Sequence, residues 1–220
     1  MRIVIAGGHG QIALRLERLL SARGHEAVGV IRAAGQADDL RATGAEPVVL
    51  DLESASVDEV AGVLEGADAA VFAAGAGGGS GAARKETVDR GAAVLFADAA
   101  ERAGVRRFVV VSSMGADPDR AGGEVFDAYQ RAKGAADVYV RSRTALDWTI
   151  LRPGLLTDDA GTGLVALEAS TGRGPVPRDD VAAVLAELLE TPGTAGLTLE
   201  LISGAVPVAD AVTAAADGRS

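Results

Sequence analysis

The sequence predicts an α/β protein built on a doubly wound parallel sheet, with helices covering both faces. Short apolar runs rich in β-branched residues alternate with helical patterns along most of the 220 residues. A glycine-rich turn follows the first of these runs and opens a helical pattern directly. Because 48% of the residues are hydrophobic, the chain can bury a large core, and its length favours a single domain over residues 1–220.

Seven strands are expected in chain order. They are predicted at residues 2–6, 27–31, 47–50, 69–73, 107–111, 148–151 and 198–202. Between strands, apolar residues recur at helical spacing, first at Ile12, Leu16, Leu19 and Leu20 and later at Val181, Val184, Leu185, Leu188 and Leu189. Residues 155–176 are predicted to form a small C-terminal cap on the substrate side, and residues 209–220 a docked helix followed by a frayed tail.

Composition excludes several classes of function. The formal net charge of −10 argues against nucleic acid as a partner, since phosphate-backbone binders carry basic patches. The chain has no cysteine and two histidines, so no metal site is expected. It opens on a strand without a charged leader, and no apolar run approaches the roughly 20 residues needed to span a bilayer. We therefore expect a cytoplasmic protein with no membrane partner.

The glycine-rich turn after the first strand has the spacing of a dinucleotide-binding loop. Its glycines fit Gly8-x-Gly10-x-x-Ala13 or, alternatively, Gly7-x-x-Gly10-x-x-Ala13. Either spacing allows a tight turn and a close approach of the backbone to a pyrophosphate, while a small residue at position 13 lets helix and strand pack closely. The predicted cofactor loop comprises Gly7, Gly8, His9, Gly10, Gln11 and Ile12. A Rossmann fold binding NAD(P) follows.

The end of the second strand distinguishes the two nicotinamide dinucleotides. A carboxylate there would accept from a ribose 2′-hydroxyl, whereas an arginine would pair with a 2′-phosphate. Arg32 ends this strand, and the next acidic residue is Asp38. NADP(H) is therefore the preferred cofactor, with NAD(H) as the alternative. Further cofactor contacts are expected where later strands end, at Asp51, Leu52, Ala73, Ala74 and Gly75.

Two residues on one predicted helix are candidates for proton transfer. Tyr129 and Lys133 are four positions apart within residues 125–142, which puts both side chains on one helix face. A neighbouring ammonium would favour the phenolate and make Tyr129 a plausible acid or base. A half-buried tyrosine covered by a lysine stem is the structural alternative. Ser112 and Ser113 end the fifth strand and face the same sheet edge, where a hydroxyl can polarise a carbonyl.

These motifs together resemble the short-chain dehydrogenase/reductase superfamily. The resemblance is to its small atypical branch, which includes epimerase/dehydratase-like, NmrA-like and biliverdin reductase-like proteins. Besides the residues above, its carriers are Phe108, Val109, Val110, Val111, Leu151, Arg152, Pro153 and Gly154. The resemblance implies that Ser113 polarises the substrate and that Tyr129 is the acid/base. It further implies that Lys133 holds the nicotinamide ribose and that Pro153 borders the nicotinamide.

The function expected from this resemblance is NADPH-dependent hydride transfer to a small electrophilic acceptor, such as a carbonyl, quinone or flavin-like molecule. Two alternatives are a non-catalytic NADP(H)-binding redox sensor of the NmrA-like type and a small-substrate epimerase or dehydratase. The expected partner is a small-molecule substrate, and the chain is expected to be a monomer or a homodimer.

Overall fold

The fold is built on a nine-stranded sheet. The computed structural model describes residues 1–77 and 79–218. The strands are β1 (Arg2–Ala6), β2 (Glu26–Ile31), β3 (Glu46–Val49), β4 (Ala69–Phe72), β5 (Arg107–Val111), β6 (Asp147–Pro153), β8 (Leu164–Glu168), β10 (Leu197–Ser203) and β11 (Val206–Pro207). Their order is β11-β8-β10-β6-β5-β4-β1-β2-β3, and β8 runs antiparallel to both of its neighbours, β10 and β11, whereas the other neighbouring strands pair parallel. Two further strands, β7 (Leu155–Thr157) and β9 (Pro175–Pro177), pair separately.

Helices cover both faces of the sheet. They are α1 (Gln11–Ala22), α2 (Ala37–Arg41), α3 (Val57–Leu64), α4 (Ala82–Arg84), α5 (Ala93–Ala103), α6 (Val125–Arg141), α7 (Arg178–Glu190) and α8 (Val208–Asp217), with a π-helical segment, Lys85–Ala92, between α4 and α5. On one face, Leu16 of α1 and Leu185 of α7 belong to the same buried cluster. On the other, the ring of Phe96 in α5 packs against Phe72 and Phe108, with centroids 6.2 and 5.9 Å apart. The doubly wound fold predicted from the sequence is confirmed.

The predicted strands all form, with ends shifted by at most two residues. The prediction for residues 155–176 needs correction, because residues 164–168 lie in the main sheet as β8 rather than in a separate cap. The cause is their inward-facing apolar side chains: Val165 and Leu167 are buried, and the strand pairs antiparallel with β10. Only β7 and β9 stand apart. The predicted C-terminal helix forms as α8, whereas residues 219–220 of the predicted tail lie outside the described residues.

The chain reverses its direction across the sheet at β1. It runs outward from β1 to β2 and β3, then returns to pair β4 along the other side of β1. In open α/β sheets, ligands bind in the crevice outside the carboxyl ends of the strands at this switch point. The loops that follow β1 and β4 therefore border the expected binding crevice. No helix in the described part of the chain is long and apolar enough to cross a membrane.

One glycine allows the loop after β5 to lie against α6, the helix that carries Tyr129 and Lys133. A Cβ at Gly134 would lie 2.4 Å from the carbonyl carbon of Asp117 and 2.4 Å from the nitrogen of Pro118. The same loop is tied to α6 by the Asp117 amide, which donates to the Gln130 carbonyl at 3.1 Å. This close backbone approach fixes how α6 sits beside the switch point.

We predict opposite effects for two helical Gly→Ala substitutions. Alanine is favoured over glycine in helix interiors by roughly 1 kcal/mol. Gly134→Ala nevertheless destabilises the fold by about 1–3 kcal/mol, because the added methyl meets immobile backbone. Gly62→Ala in α3, where no atom lies within 4 Å of the added Cβ, is neutral or stabilising. Urea unfolding of both variants checks the pair, and a stabilised Gly134→Ala protein would contradict this packing.

Candidate functional site

The glycine-rich turn wraps the carboxyl end of β1 and leads into α1. The amides of Gly7 and Gly8 both donate to the Val30 carbonyl, at 3.1 and 2.9 Å, and the Gly10 amide donates to the Gly7 carbonyl at 2.8 Å. Gly10 is the N-cap of α1, and no side chain caps this helix end. First-turn amides of a 12-residue helix therefore face the crevice, which is the arrangement that binds phosphate groups.

Two glycines of the turn are required by the space around them. Gly7 has a φ of +78°, and a Cβ on it would lie 2.6 Å from the Cα of Ala74 in the loop after β4. A Cβ on Gly8 would lie 2.8 Å from the Cα of Gly29 in β2. Neither contact can be relieved by a side-chain movement. The turn is thus held between β2 and the loop after β4.

A buried carboxyl group lies directly beneath this turn. Glu17 of α1 is fully buried, and its Oε1 would be 2.9 Å from a Cβ on Gly8 and 2.6 Å from one on Gly29. The Thr43 hydroxyl donates to Oε2 at 3.3 Å, while Oε1 has no hydrogen-bond partner within the described residues. Burial raises the pKa of Glu17 to about 8, and the Thr43 hydrogen bond opposes the shift. Glu17 therefore carries a proton at neutral pH.

We predict that Glu17 makes the fold less stable in alkali. The unfolded chain releases this proton near its ordinary pKa of 4.5, whereas the folded chain holds it to about 8. The stabilisation is thus complete below pH 4.5 and declines as pH rises, by up to about 1.4 kcal/mol per pH unit until pH 8. Glu17→Gln should remove that slope in denaturant unfolding measured from pH 5 to 9. Equal slopes for both proteins would contradict the assignment.

A cleft of about 260 Å³ lies on the β2 and β3 side of the turn. The predicted cofactor residues that line it are Gly7, His9, Gly10, Arg32, Asp51, Leu52, Ala73, Ala74 and Gly75. Arg84 and Glu53, which the sequence did not single out, also line it and are joined by a 2.6 Å ion pair. Hydrogen bonds from Arg84 and Thr87 hold the pKa of Glu53 below its usual range.

Arg32 differs from the other arginine in this cleft. Arg84 is already paired with Glu53, whereas Arg32 forms no hydrogen bond or ion pair with any described residue. Its charge nevertheless helps to lower the pKa of Glu53. Within this cleft, Arg32 is consequently the guanidinium available to an anionic ligand group.

A larger cleft, of about 700 Å³, opens on the other side of the turn. It shares Gly10, Ala73, Ala74 and Gly75 with the smaller cleft, so the two are continuous across the switch point. Its predicted site residues are Gln11, Ile12, Ser113, Tyr129, Lys133 and Pro153. The structure therefore brings every predicted site residue except Gly8, which packs against Gly29 of β2, to one of two adjoining clefts.

The two serines after β5 have different surroundings. Ser113 lines the large cleft, and its hydroxyl accepts from Gln130 Nε2 at 3.3 Å. The Ser112 hydroxyl is instead buried and donates to Asp137 at 2.9 Å. Arg152 donates two hydrogen bonds to the same Asp137 oxygen, at 2.9 and 2.7 Å. Burial raises the pKa of Asp137 although Arg152 opposes that shift. Both serines line the large cleft, but the Ser112 hydroxyl is the one that joins β5 to α6 and β6.

Tyr129 projects into the large cleft between two lysines. The Nζ atoms of Lys85 and Lys133 lie 5.3 and 6.0 Å from the centre of its ring, and the ring of Phe126 lies 6.1 Å away. Lys133 makes additional polar contacts. Its Nζ donates to the carbonyls of Val111 and Ala74 at 3.1 and 3.4 Å and lies 3.4 Å from Asp89 Oδ1.

Sequence reasoning missed Lys85, Asp89 and Glu17. Lys85 and Asp89 lie one turn apart on the π-helical segment and line the large cleft. The sequence did offer one signal for Lys85, because it contains only two lysines. Burial of Glu17 could not be read from its position on α1, since it depends on how α1 meets β2.

Comparison with known proteins agrees with this geometry. A family model described as NAD(P)H-binding matches residues 7–192. A Bacillus subtilis protein named as an uncharacterized sugar epimerase is 35% identical over 213 residues, covering 96% of this chain and 99% of the relative.

Two solved structures extend the comparison. A candidate NAD-dependent epimerase/dehydratase of Bacillus halodurans superposes with a TM-score of 0.89 at 37% identity, covering 97% of this chain and 99% of the other. An anaerobilin reductase of Escherichia coli O157:H7 superposes with a TM-score of 0.75 at 27% identity, covering 92% of this chain and 97% of the other.

Proposed function

Since the chain belongs to the family of NAD(P)H-binding proteins, we propose that it is an NADPH-dependent oxidoreductase acting on a small electrophilic acceptor. The observation that carries the proposal is the position of Ser113 and Tyr129. Both face the large cleft that adjoins the glycine-rich turn. A group held in that cleft would lie between cofactor-binding backbone and two hydroxyls, which is the arrangement that reduction of a carbonyl requires.

Each group in the large cleft has a separate part in the proposed reaction. A nicotinamide held in the large cleft would supply the hydride that the electrophilic carbon accepts. The Ser113 hydroxyl, which donates to the Met114 carbonyl at 3.3 Å in the structure, would turn its hydrogen to the acceptor oxygen and orient it. The Tyr129 hydroxyl gives its proton to that oxygen as negative charge develops there, and solvent later restores the proton. Gln130, which donates to Ser113 at 3.3 Å, holds the serine oxygen in place.

The preference for NADPH rests on Arg32. A guanidinium forms charge-assisted hydrogen bonds with phosphate, and Arg32 lines the smaller cleft without a competing partner among the described residues. The acidic residues of the same cleft, Asp51 and Glu53, offer acceptors for an adenine amino group or a ribose hydroxyl. These contacts favour a 2′-phosphorylated cofactor over NADH.

We predict that NADPH binds about 10- to 100-fold more tightly than NADH and that Arg32→Ala removes the difference. The reason is the loss of charged hydrogen bonds to the 2′-phosphate. Calorimetric titration of the wild type and of Arg32→Ala with both dinucleotides measures these affinities. The matched control for net charge is Arg18→Ala, which removes an exposed arginine of α1 that lines neither cleft. This variant should keep the preference for NADPH over NADH. Equal affinities in the wild type would refute the NADPH assignment.

We further predict that Tyr129→Phe lowers kcat for carbonyl acceptors by about 10²- to 10⁴-fold, the range for loss of a general acid. NADPH oxidation with 9,10-phenanthrenequinone and aromatic aldehydes measures the rate. The other tyrosine of the chain provides the control: the Tyr139 hydroxyl bonds to Asp98 at 2.6 Å and lines neither cleft, so Tyr139→Phe should keep kcat. An unchanged rate for Tyr129→Phe would remove the proposed proton donor.

A second candidate activity is reduction of a larger conjugated acceptor such as a flavin or tetrapyrrole. The observation that favours it is a further groove of about 580 Å³, which shares Ser113, Phe126 and Pro153 with the large cleft. Its apolar wall includes Leu155, which is 73% exposed, and Arg173 lines it as well. Such an acceptor would take hydride without an acid, so FMN reduction that is insensitive to Tyr129→Phe would support this second activity.

A further inference from the structure

The distribution of lysine in this chain is uneven. The sequence contains 21 basic residues, of which only Lys85 and Lys133 are lysines. Both line the large cleft, with 8% and 4% of their surface exposed, and both approach the ring of Tyr129. The other 19 basic residues are arginines, whose planar guanidinium differs in shape and hydration from a compact ammonium. Both lysine side chains of the sequence are therefore in the large cleft.

Lys133 is held by polar contacts with three other parts of the fold. An ammonium has three donors. Lys133 donates two hydrogen bonds, to the carbonyls of Val111 and Ala74 at 3.1 and 3.4 Å, and forms an ion pair with Asp89 Oδ1 at 3.4 Å. Asp89 is fully buried, so removing the ammonium would leave an uncompensated carboxylate. These contacts join α6 to β5, to the loop after β4 and to the π-helical segment, which is a structural role.

Lys85 has donors to spare. Its Nζ donates to the Gly77 carbonyl at 2.8 Å, and no other hydrogen bond or ion pair joins it to a described residue. Two of its three N–H groups are consequently available. Its Nζ is also closer to the Tyr129 ring than that of Lys133, at 5.3 Å against 6.0 Å. Lys85 begins a π-helical segment, a feature found often at functional sites.

We propose that Lys85, rather than Lys133, is the ammonium that contacts the acceptor oxygen beside Tyr129. The inference rests on the proposed reductase activity. Hydride adds to the acceptor carbon, the carbonyl π pair moves to oxygen, and the Tyr129 proton goes to that oxygen. Lys85 keeps its protons and stabilises first the developing oxyanion and then the phenolate until solvent reprotonates it. Lys133 serves as the buried counter-ion of Asp89.

Chemical labelling tests which ammonium is free, without any need for turnover. The folded protein is treated with formaldehyde and a borane reductant, and methylation of each lysine is followed by peptide mass spectrometry. Lys85 should react several times faster than Lys133, whose nitrogen is enclosed by three acceptors. NADP⁺ together with 9,10-phenanthrenequinone should slow labelling of Lys85 and leave Lys133 unchanged. Equal rates for the two lysines, or protection of Lys133 alone, would overturn the proposal.

Kinetics of matched variants test the catalytic contribution. Lys85→Met should lower kcat for 9,10-phenanthrenequinone by about 10²- to 10³-fold, the usual effect of losing an oxyanion donor. Its NADPH affinity by calorimetry should stay within about twofold of the wild type, because the ammonium acts on the acceptor. Lys85→Arg keeps the charge and should recover part of kcat, which a purely structural role would not predict. Wild-type kcat in Lys85→Met would refute the assignment.

The two proposals can fail separately. A wild-type protein that binds NADPH but oxidises it with none of the acceptors, FMN included, would refute the reductase. The labelling ratio would then still decide which lysine is free, and protection by the quinone complex would still show whether a ligand reaches Lys85. Conversely, an active wild type with fully active Lys85→Met would keep the reductase and remove Lys85 from its mechanism.

Discussion

The close approach of backbone segments at the switch point is the constraint on which the site depends. Gly7 lies against Ala74, and Gly8 lies against Gly29, each at a distance that excludes a Cβ. These contacts bring the loops after β1 and β4 to the end of β2. They leave first-turn amides of α1 facing one continuous crevice, with one cleft on each side of the turn. Every proposed cofactor contact follows from this arrangement.

Electrostatics in the crevice are local rather than global. The chain carries a net charge of −10, so a long-range positive field does not attract an anionic cofactor. Positive potential comes instead from the α1 N-terminus, from Arg32 in the smaller cleft and from Lys85 in the larger one. Arg84 and Lys133 are already paired with Glu53 and Asp89. Arg32 and Lys85, which form no ion pair with any described residue, thus line the clefts where ligand charge is expected. Arg84 and Lys133 instead form ion pairs that join parts of the cleft walls.

The parts of the fold that could be predicted are those set by local pattern. The seven parallel strands follow from β-branched apolar runs, and the cofactor turn follows from glycine spacing next to a strand. Strand β8 was not predicted because its partner β10 lies some 30 residues later and pairs antiparallel at the sheet edge. The hydrogen bonds of Lys133 and the protonated state of Glu17 depend on groups from other elements, so neither could be predicted from residue spacing. For the same reason, the spacing of Tyr129 and Lys133 predicted a shared helix face but not the ion pair between Lys133 and Asp89.

A crystal structure of the protein with NADPH bound would test the central claim most directly. We expect adenosine in the smaller cleft with its 2′-phosphate at Arg32, the pyrophosphate on the turn from Gly7 to Gly10, and the nicotinamide in the larger cleft beside Pro153. Its reactive face should then be directed towards Ser113 and Tyr129. A dinucleotide bound elsewhere, or one whose nicotinamide lies away from both hydroxyls, would contradict the account.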